Sequence, residues 1–427
     1  MARVRRAYLA LTFLLGPFPL LGACSGDNAS GTHGPVFDGG VDAPRTDAGG
    51  DGSNPSQGDA ALFDVSRSSD GGADSEGAGV PADGSIPDAM LDAPTCGSTT
   101  ALLGASSTAA FGAISNGGPW TSAPIAGSAA SPPAILGYNG GFVGALRAAT
   151  TNALLSVTYA GSWSAATPIG AALTLDAPAL AFVGATVHVA YLGTDHLFYH
   201  GTYTTSNGWD AANDKVMSGV AQSFGPSGPA AAASGASFVI AQDGSNNALY
   251  DQPWTGTWQS AIQIPGAKVG TVPPTMIAVS GGNADLLLVY VDQGDFKLYF
   301  SLHGPSGWSA PALVNAAAYT SVPVSLAALS GGGAALVFEG SDLNAYTSLY
   351  DPAAATPWTA PAPLVAAKVT LTSPPSIASG VCGDEAVAAI CTASGAAVVH
   401  LRNGSWSSPE MLAGTAGMTF ASIATSL

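Results

Sequence analysis

The sequence predicts an all-β chain, a seven-bladed β-propeller of four-stranded antiparallel blades, on two observations. The first is tryptophan spacing: Trp120, Trp163, Trp209, Trp258, Trp308, Trp358 and Trp406 follow one another at 43, 46, 49, 50, 50 and 48 residues. Radial repetition of four-stranded sheets produces a period of this length. The second is a phrase that returns ahead of four of those tryptophans, in which a polar turn runs into an apolar strand. It reads Gly193-Thr-Asp-His-Leu-Phe-Tyr199, Asp243-Gly-Ser-Asn-Asn-Ala-Leu-Tyr250, Asp292-Gln-Gly-Asp-Phe-Lys-Leu-Tyr299 and Glu339-Gly-Ser-Asp-Leu-Asn-Ala-Tyr346.

Three segments precede or carry this repeat. Arg3, Arg5 and Arg6 form a basic start, Ala7 to Leu21 is apolar but broken by Pro17 and Pro19, and Leu21-Gly-Ala-Cys24 closes it with small residues. That arrangement is an export signal, and the run is too short for the roughly 20 apolar residues of a membrane span. Its end resembles the lipobox of bacterial lipoproteins. The resemblance implies a signal peptide over 1–23, cleavage before Cys24 and lipidation of its thiol, and hence a lipid anchor in the envelope of a Gram-negative bacterium, at the outer membrane or cell surface. An ordinary secretory signal is the alternative. Residues 24–95 read as a disordered acidic linker. Residues 25–95 hold thirteen acids against Arg45 and Arg67, with Phe37 and Phe63 as their aromatic residues, so they cannot bury enough apolar surface to fold. The propeller is expected over 96–427.

Within the propeller each unit opens on proline and small apolar residues, as in Pro133-Ala-Ile-Leu136, Pro178-Ala-Leu-Ala181, Pro274-Thr-Met-Ile277 and Pro375-Ser-Ile-Ala378. This is the expected innermost strand, where only small side chains fit around an axis. A second apolar run follows, such as Leu286-Leu-Leu-Val-Tyr290, then the polar turn, the Leu-Tyr strand, a hairpin and Trp-Ser-x-Pro. Proline is tolerated there because an outermost strand has a free edge. Six units are complete and one is split. Residues 97–127 supply a second, third and outer strand, while the missing inner strand reappears as Met418-Thr-Phe-Ala-Ser-Ile-Ala424. The C-terminal strand is therefore expected to complete the first blade and leave no long unpaired edge.

Charge and cysteine content narrow the function classes. The net charge is −17, and from residue 97 onward six Lys+Arg face fifteen Asp+Glu, which argues against nucleic acid because such binding needs a basic stripe. With Cys24 lipidated, Cys96, Cys382 and Cys391 remain. Cys96 enters the split blade and Cys382 lies in the first turn of its neighbour, so a Cys96–Cys382 disulfide is expected, with Cys391 a buried free thiol. A Cys382–Cys391 pair is the competitor, disfavoured because a turn at Gly383-Asp384 does not set them opposite.

The phrase Gly193 to His200, followed by Gly-x-Trp-Ser, resembles the repeat of seven-bladed bacterial propeller lectins related to fucose-specific lectins, over about 330 residues. The resemblance implies a non-catalytic carbohydrate-binding module. Sites in that wider family use an arginine, a glutamate and an aromatic ring. This domain has only Arg147 and Arg402, with Leu192, Gln242 and Val291 where relatives often carry arginine, so that triad does not transfer. A different set recurs four residues beyond the Leu-Tyr position: Tyr159, Tyr203, Trp254, His303 and Tyr350, with Asn403 in the last unit. Rings with a polar handle suit weak, multivalent sugar stacking; they equally suit packing between blades. Trp254 is the leading single candidate because it is additional to Trp258.

No metal or cofactor is expected. His196, His200 and His400 read as surface residues, with His200 and His400 at equivalent repeat positions, and no carboxylate or cysteine spacing completes a ligand set. The turn acids Asp195, Asp243, Asp292, Asp295, Glu339 and Asp342 share one face and read first as turn chemistry. A glycosidase would need two flanking carboxyls and a sialidase an arginine cluster, so no catalytic residue is assigned. The partners expected are glycans, or alternatively a surface protein.

Overall fold

The computed structural model describes residues 98–216, 227–244, 246–280 and 284–426. Seven antiparallel sheets stand in a ring, each with its strands ordered from axis to rim. Blade 2 is Ala134–Tyr138, Gly141–Arg147, Ala153–Tyr159 and Thr167–Leu173; blade 3 is Ala179–Val183, Thr186–Leu192, Phe198–Thr204 and Gly208–Lys215. Blade 4 is Ala230–Ser234, Ser237–Asp243, Ala248–Trp254 and Ile262–Lys268; blade 6 is Ser325–Ala328, Ala334–Glu339, Ala345–Tyr350 and Ala362–Pro363. Blades 5 and 7 have broken outer strands. Blade 5 runs Thr275–Ala278, Leu286–Val291, Leu298–Gly304, then Gly307–Trp308 and Ala312–Leu313; blade 7 runs Ser376–Ser379, Ala386–Thr392, Gly395–Arg402, then Ser405–Trp406 and Glu410–Met411. In blades 5 and 7 the break falls at Ser-x-Pro, because proline offers no N–H to the ladder.

Blade 1 is the split unit. Thr99–Ala105, Ala110–Ser115 and Thr121–Ile125 are its outer three strands, and Phe420–Ser426 is its innermost. The pairing runs unbroken from Thr99 opposite Ser426 to Ala105 opposite Phe420. Ile423 and Ala421 are buried beside Leu102. Ties to both neighbours complete the closure: Ser422 Oγ donates to the Pro133 carbonyl of blade 2, and the Ile423 N–H donates to Ser376 Oγ of blade 7 at 3.3 Å. The signal segment, Cys24, the linker and Cys96 lie outside the described residues.

Alternating antiparallel strands give the ring two faces. One carries the turns between second and third strands, and the other carries the hairpins between third and outer strands. The repeated phrase is explained by the first set. Asp195 Oδ1 accepts the Leu197 N–H at 3.2 Å while Oδ2 accepts the Tyr199 hydroxyl at 2.7 Å, and the Tyr199 ring lies where a Cβ on Gly193 would stand. Asp295 with Tyr299 and Asp342 with Tyr346 repeat the lock at 3.2 and 3.1 Å. These acids hold their turns, as Asx chemistry predicts. Asp243 differs: it is buried, and burial pushes its carboxyl up to about 7. Trp-Ser is explained by the hairpins. The Thr158 and Leu302 N–H groups donate to Ser164 Oγ and Ser309 Oγ at 2.9 and 3.0 Å, so the hydroxyl supplies the bond that the turning chain withholds.

Cys391 is a free buried thiol, pushed up to about 11 by burial. It is therefore not paired with Cys382, which is disulfide-bonded. Cys382 lies in the first turn of blade 7 with Sγ 3.7 Å from the Ser98 carbonyl, at the entry to blade 1.

Candidate functional site: aromatic clefts between blades

Five of the six recurring positions carry a ring, and in each case that ring faces its own blade tryptophan across the hairpin. Backbone bridges or ladder pairs set Tyr159 opposite Trp163, Tyr203 opposite Trp209, Trp254 opposite Trp258, His303 opposite Trp308 and Tyr350 opposite Trp358. Between Tyr159 and Trp163 the ring centroids are 5.2 Å apart, between Tyr203 and Trp209 5.3 Å, and in both the His303–Trp308 and Tyr350–Trp358 pairs 5.2 Å. Facing aromatic pairs add stability beyond their area. In blade 7 the residue opposite Trp406 is Leu401, not Asn403. The frame shifts because that blade turns through Ala393-Ser394 between Thr392 and Gly395, a tighter turn than Gly193–Leu197. His400 consequently aligns with Thr202, and the residue aligned with His200 is Val398.

The tryptophans then reach across to the preceding blade. Trp163 of blade 2 lies on Gly112 of blade 1, where a Cβ would stand 2.2 Å from the indole. Trp258 meets His200 at 5.3 Å and Trp358 meets Phe300 at 5.8 Å, both edge-on. Trp308 approaches Asp251, whose carboxyl is raised chiefly by burial. Trp308 and Trp358 are buried and the other blade tryptophans half-buried, so these side chains close the seams between blades.

His200 is not a surface residue. It is buried with His188 in the seam between blades 3 and 4, their Nδ1 and Nε2 atoms 2.8 Å apart and the rings stacked at 5.1 Å. Phe238 and Trp254 of blade 4 cover the pair at 4.8 and 5.1 Å from His188. Burial lowers His188 to about 4; burial, with His188 beside it and Asp210 opposing, lowers His200 to about 3. The structure thus places Trp254 as a packing residue over two imidazoles. Strand alternation could not reveal this, because both faces of a propeller blade are covered by neighbours. Among the described residues, no cluster of three His, Cys, Asp or Glu side chains is arranged to hold a metal ion.

Two of the ring–tryptophan pairs border open clefts. Between blades 1 and 2, Tyr159 and Trp163 line a cleft of about 550 Å³ with Ile114, Asn116, Ser122 and Ser162 among its other walls. Among the described residues, no charged side chain borders it. Between blades 5 and 6, His303, Trp308 and Tyr350 line a cleft of about 420 Å³ with Ser306 and Ser309 at its margin. Tyr203 instead packs edge-on against Tyr138 at 5.8 Å, and Tyr350 is buried, contributing wall rather than platform. Sequence spacing found the rings; which of them open onto space depends on the hairpin of the neighbouring blade.

No protein-family model matches the chain, and no curated protein matches it by sequence. Solved structures do resemble it. AofleA from Arthrobotrys oligospora is 14% identical over 69% of this chain and 89% of that one, with a TM-score of 0.50. The fucose-specific lectin from Aleuria aurantia is 15% identical over 69% of this chain and 100% of that one, TM-score 0.47. A puromycin-hydrolyzing peptidase of Mycobacterium tuberculosis is 13% identical over 72% of this chain and 50% of that one, TM-score 0.45. The likeness to AofleA is one of fold.

Proposed function

We propose that the chain is an exported, lipid-anchored, non-catalytic propeller that binds neutral carbohydrate, with the cleft between blades 1 and 2 as its first site. The observation that carries the reading is the chemistry of that cleft. Two packed aromatic rings form one wall, and Ile114, Pro119 and Pro124 form the rest together with hydroxyl, amide and backbone groups, with no charged side chain among the described residues that line it. A sugar offers C–H faces to rings and hydroxyls to neutral polar groups, whereas a charged ligand finds no partner there. Several weak sites on one disc gain avidity on a densely glycosylated surface.

Gly118 gives a clean test. A Cβ placed on it meets nothing within 4 Å, so Gly118→Phe adds a ring at the cleft without strain. We expect sugar binding at this site to fall at least about tenfold, the scale of one lost stacking contact, with the thermal midpoint unchanged. Undiminished binding at every site of the variant would overturn the assignment.

Anchoring rests on Leu21-Gly-Ala-Cys24. Cys24→Ala is expected to abolish lipid labelling and membrane fractionation, and unchanged membrane association would contradict it. We infer that Cys96 is the partner of Cys382; a non-reducing peptide map that joins Cys382 to another cysteine would refute this. A protein partner is the second reading, favoured by one observation: Phe296, Tyr319 and Leu343 on the turn face of blades 5 and 6 are 53%, 47% and 47% exposed. Phe296 and Leu343 also hold left-handed φ values of 58° and 61°, which cost bulky residues more than the asparagine at the same turn of blade 4. Loss of a captured envelope protein on Phe296→Asn, with sugar binding absent, would favour that reading.

A further inference from the structure

The cleft between blades 5 and 6 differs from its counterpart in one respect: its recurring ring is an imidazole fixed from behind. His303 Nδ1 lies 2.7 Å from Asp285 Oδ1, and the other carboxylate oxygen accepts the Ser234 hydroxyl of blade 4 at 2.7 Å. Burial pushes the Asp285 carboxyl up, but the bonds from Ser234 and His303 outweigh it and hold the group below the usual range, so it is an acceptor. Nδ1 must then carry the proton, and in the neutral ring Nε2 is left as an acceptor with a lone pair. Trp308 packs against the ring at a tilt, the centroids 5.2 Å apart, and limits its rotation. The side chain remains 28% exposed, and among the described residues no group is bonded to Nε2.

At the same frame position blades 2, 3 and 6 carry tyrosine and blade 4 tryptophan, none of which offers a ring-nitrogen acceptor. Packing alone is served by those rings. A histidine whose one nitrogen is held by a two-bond relay across a blade seam, and whose ring lines a cleft beside Trp308 and Tyr350, is arranged to receive a donor from outside. We propose that this cleft is a second ligand site, for a neutral polyol such as a sugar, in which Nε2 of His303 accepts a ligand hydroxyl while the ligand lies against Trp308 and the Ser306 and Ser309 margin. The proposal rests on the carbohydrate reading and adds a site with its own recognition chemistry. Asp285 and Ser234 are positioning residues; His303 is the binding group.

The test uses the full chain and a panel of methyl glycosides, followed by calorimetric titration and by imidazole ¹⁵N resonances. The active glycoside is expected to fill at least two sites in the wild type. Gly118→Phe should leave the blade 5–6 site, with the His303 Nε2 resonance shifting on saturation while Nδ1 stays protonated. Adding His303→Phe, which keeps a ring on Trp308 but removes the acceptor, should weaken that remaining site at least about tenfold. If Gly118→Phe alone removes all binding, or if Nε2 does not respond in the wild type, the second site is refuted and the first stands. If no glycoside binds the wild type, the carbohydrate reading itself fails. The Nε2 resonance is read on unaltered protein, so a poorly folded His303→Phe leaves the proposal open to refutation.

Discussion

Removing Met418–Leu427 is expected to abolish cooperative unfolding of the propeller or to lower its denaturant midpoint severely. The segment supplies the whole inner strand of blade 1, paired from Thr99–Ser426 to Ala105–Phe420. Its loss strips cover from Leu102, which is fully buried, and deletes the buried Ile423, Ala421 and Met418 side chains. Each large apolar side chain contributes about 1.5–3 kcal/mol on burial, and each lost ladder bond about 1 kcal/mol. The total exceeds about 5 kcal/mol, which is comparable with the whole stability of a typical domain. The damage also spreads to blades 2 and 7 through Ser422 and Ile423. Urea unfolding followed by tryptophan fluorescence measures it; a truncated chain with the full-length midpoint would mean that the termini do not share a blade.

Acid should weaken the wild-type chain more than a variant that lacks the buried histidine pair. His188 and His200 are held at about 4 and about 3 by burial, against about 6.5 in the unfolded chain. Because the folded values are depressed, the unfolded state binds more protons between pH 6.5 and pH 3–4, so stability falls with falling pH across that window. The chain itself provides the replacement residues. Phe300 occupies the frame position of His200 and packs on Trp358, while Val143 and Val239 occupy that of His188 in blades 2 and 4. Relative to His188→Val/His200→Phe, the wild type should lose on the order of 3–6 kcal/mol by pH 4. Asp243, Asp251, Asp176 and Glu339 are raised by burial and act with the opposite sign, but both proteins share them and the difference removes them. Unfolding curves for the two proteins at pH 7, 5.5 and 4 decide the matter: a difference that is constant with pH would contradict the buried, neutral pair.

The propeller was legible because its punctuation is local. A tryptophan after each hairpin and an Asp-x-x-x-Tyr lock at three second turns each act within about ten residues, and the misplaced small-residue phrase at Met418–Ala424 marked the closure. The seams between blades were not legible. Period-2 alternation distinguishes a buried face from a wet one in an open sheet, whereas a blade is covered on both sides, so His188 and His200 carried no mark of burial. Blade 7 misled the frame because its shorter turn moves His400 by two positions. Of the candidate site, the rings at Tyr159 and His303 were found by spacing. The relay behind His303 was not, since Ser234 and Asp285 come from different blades and meet only when the ring is assembled.

Binding of the chain to an array of neutral and acidic glycans tests the central claim most directly. The aromatic, uncharged cleft between blades 1 and 2 predicts recognition of neutral glycans, stronger at high printing density and unchanged when salt is raised from about 0.1 M to about 1 M, where screening removes charge pairing. A blank array, or binding confined to sulfated or other acidic glycans and lost in salt, would contradict it.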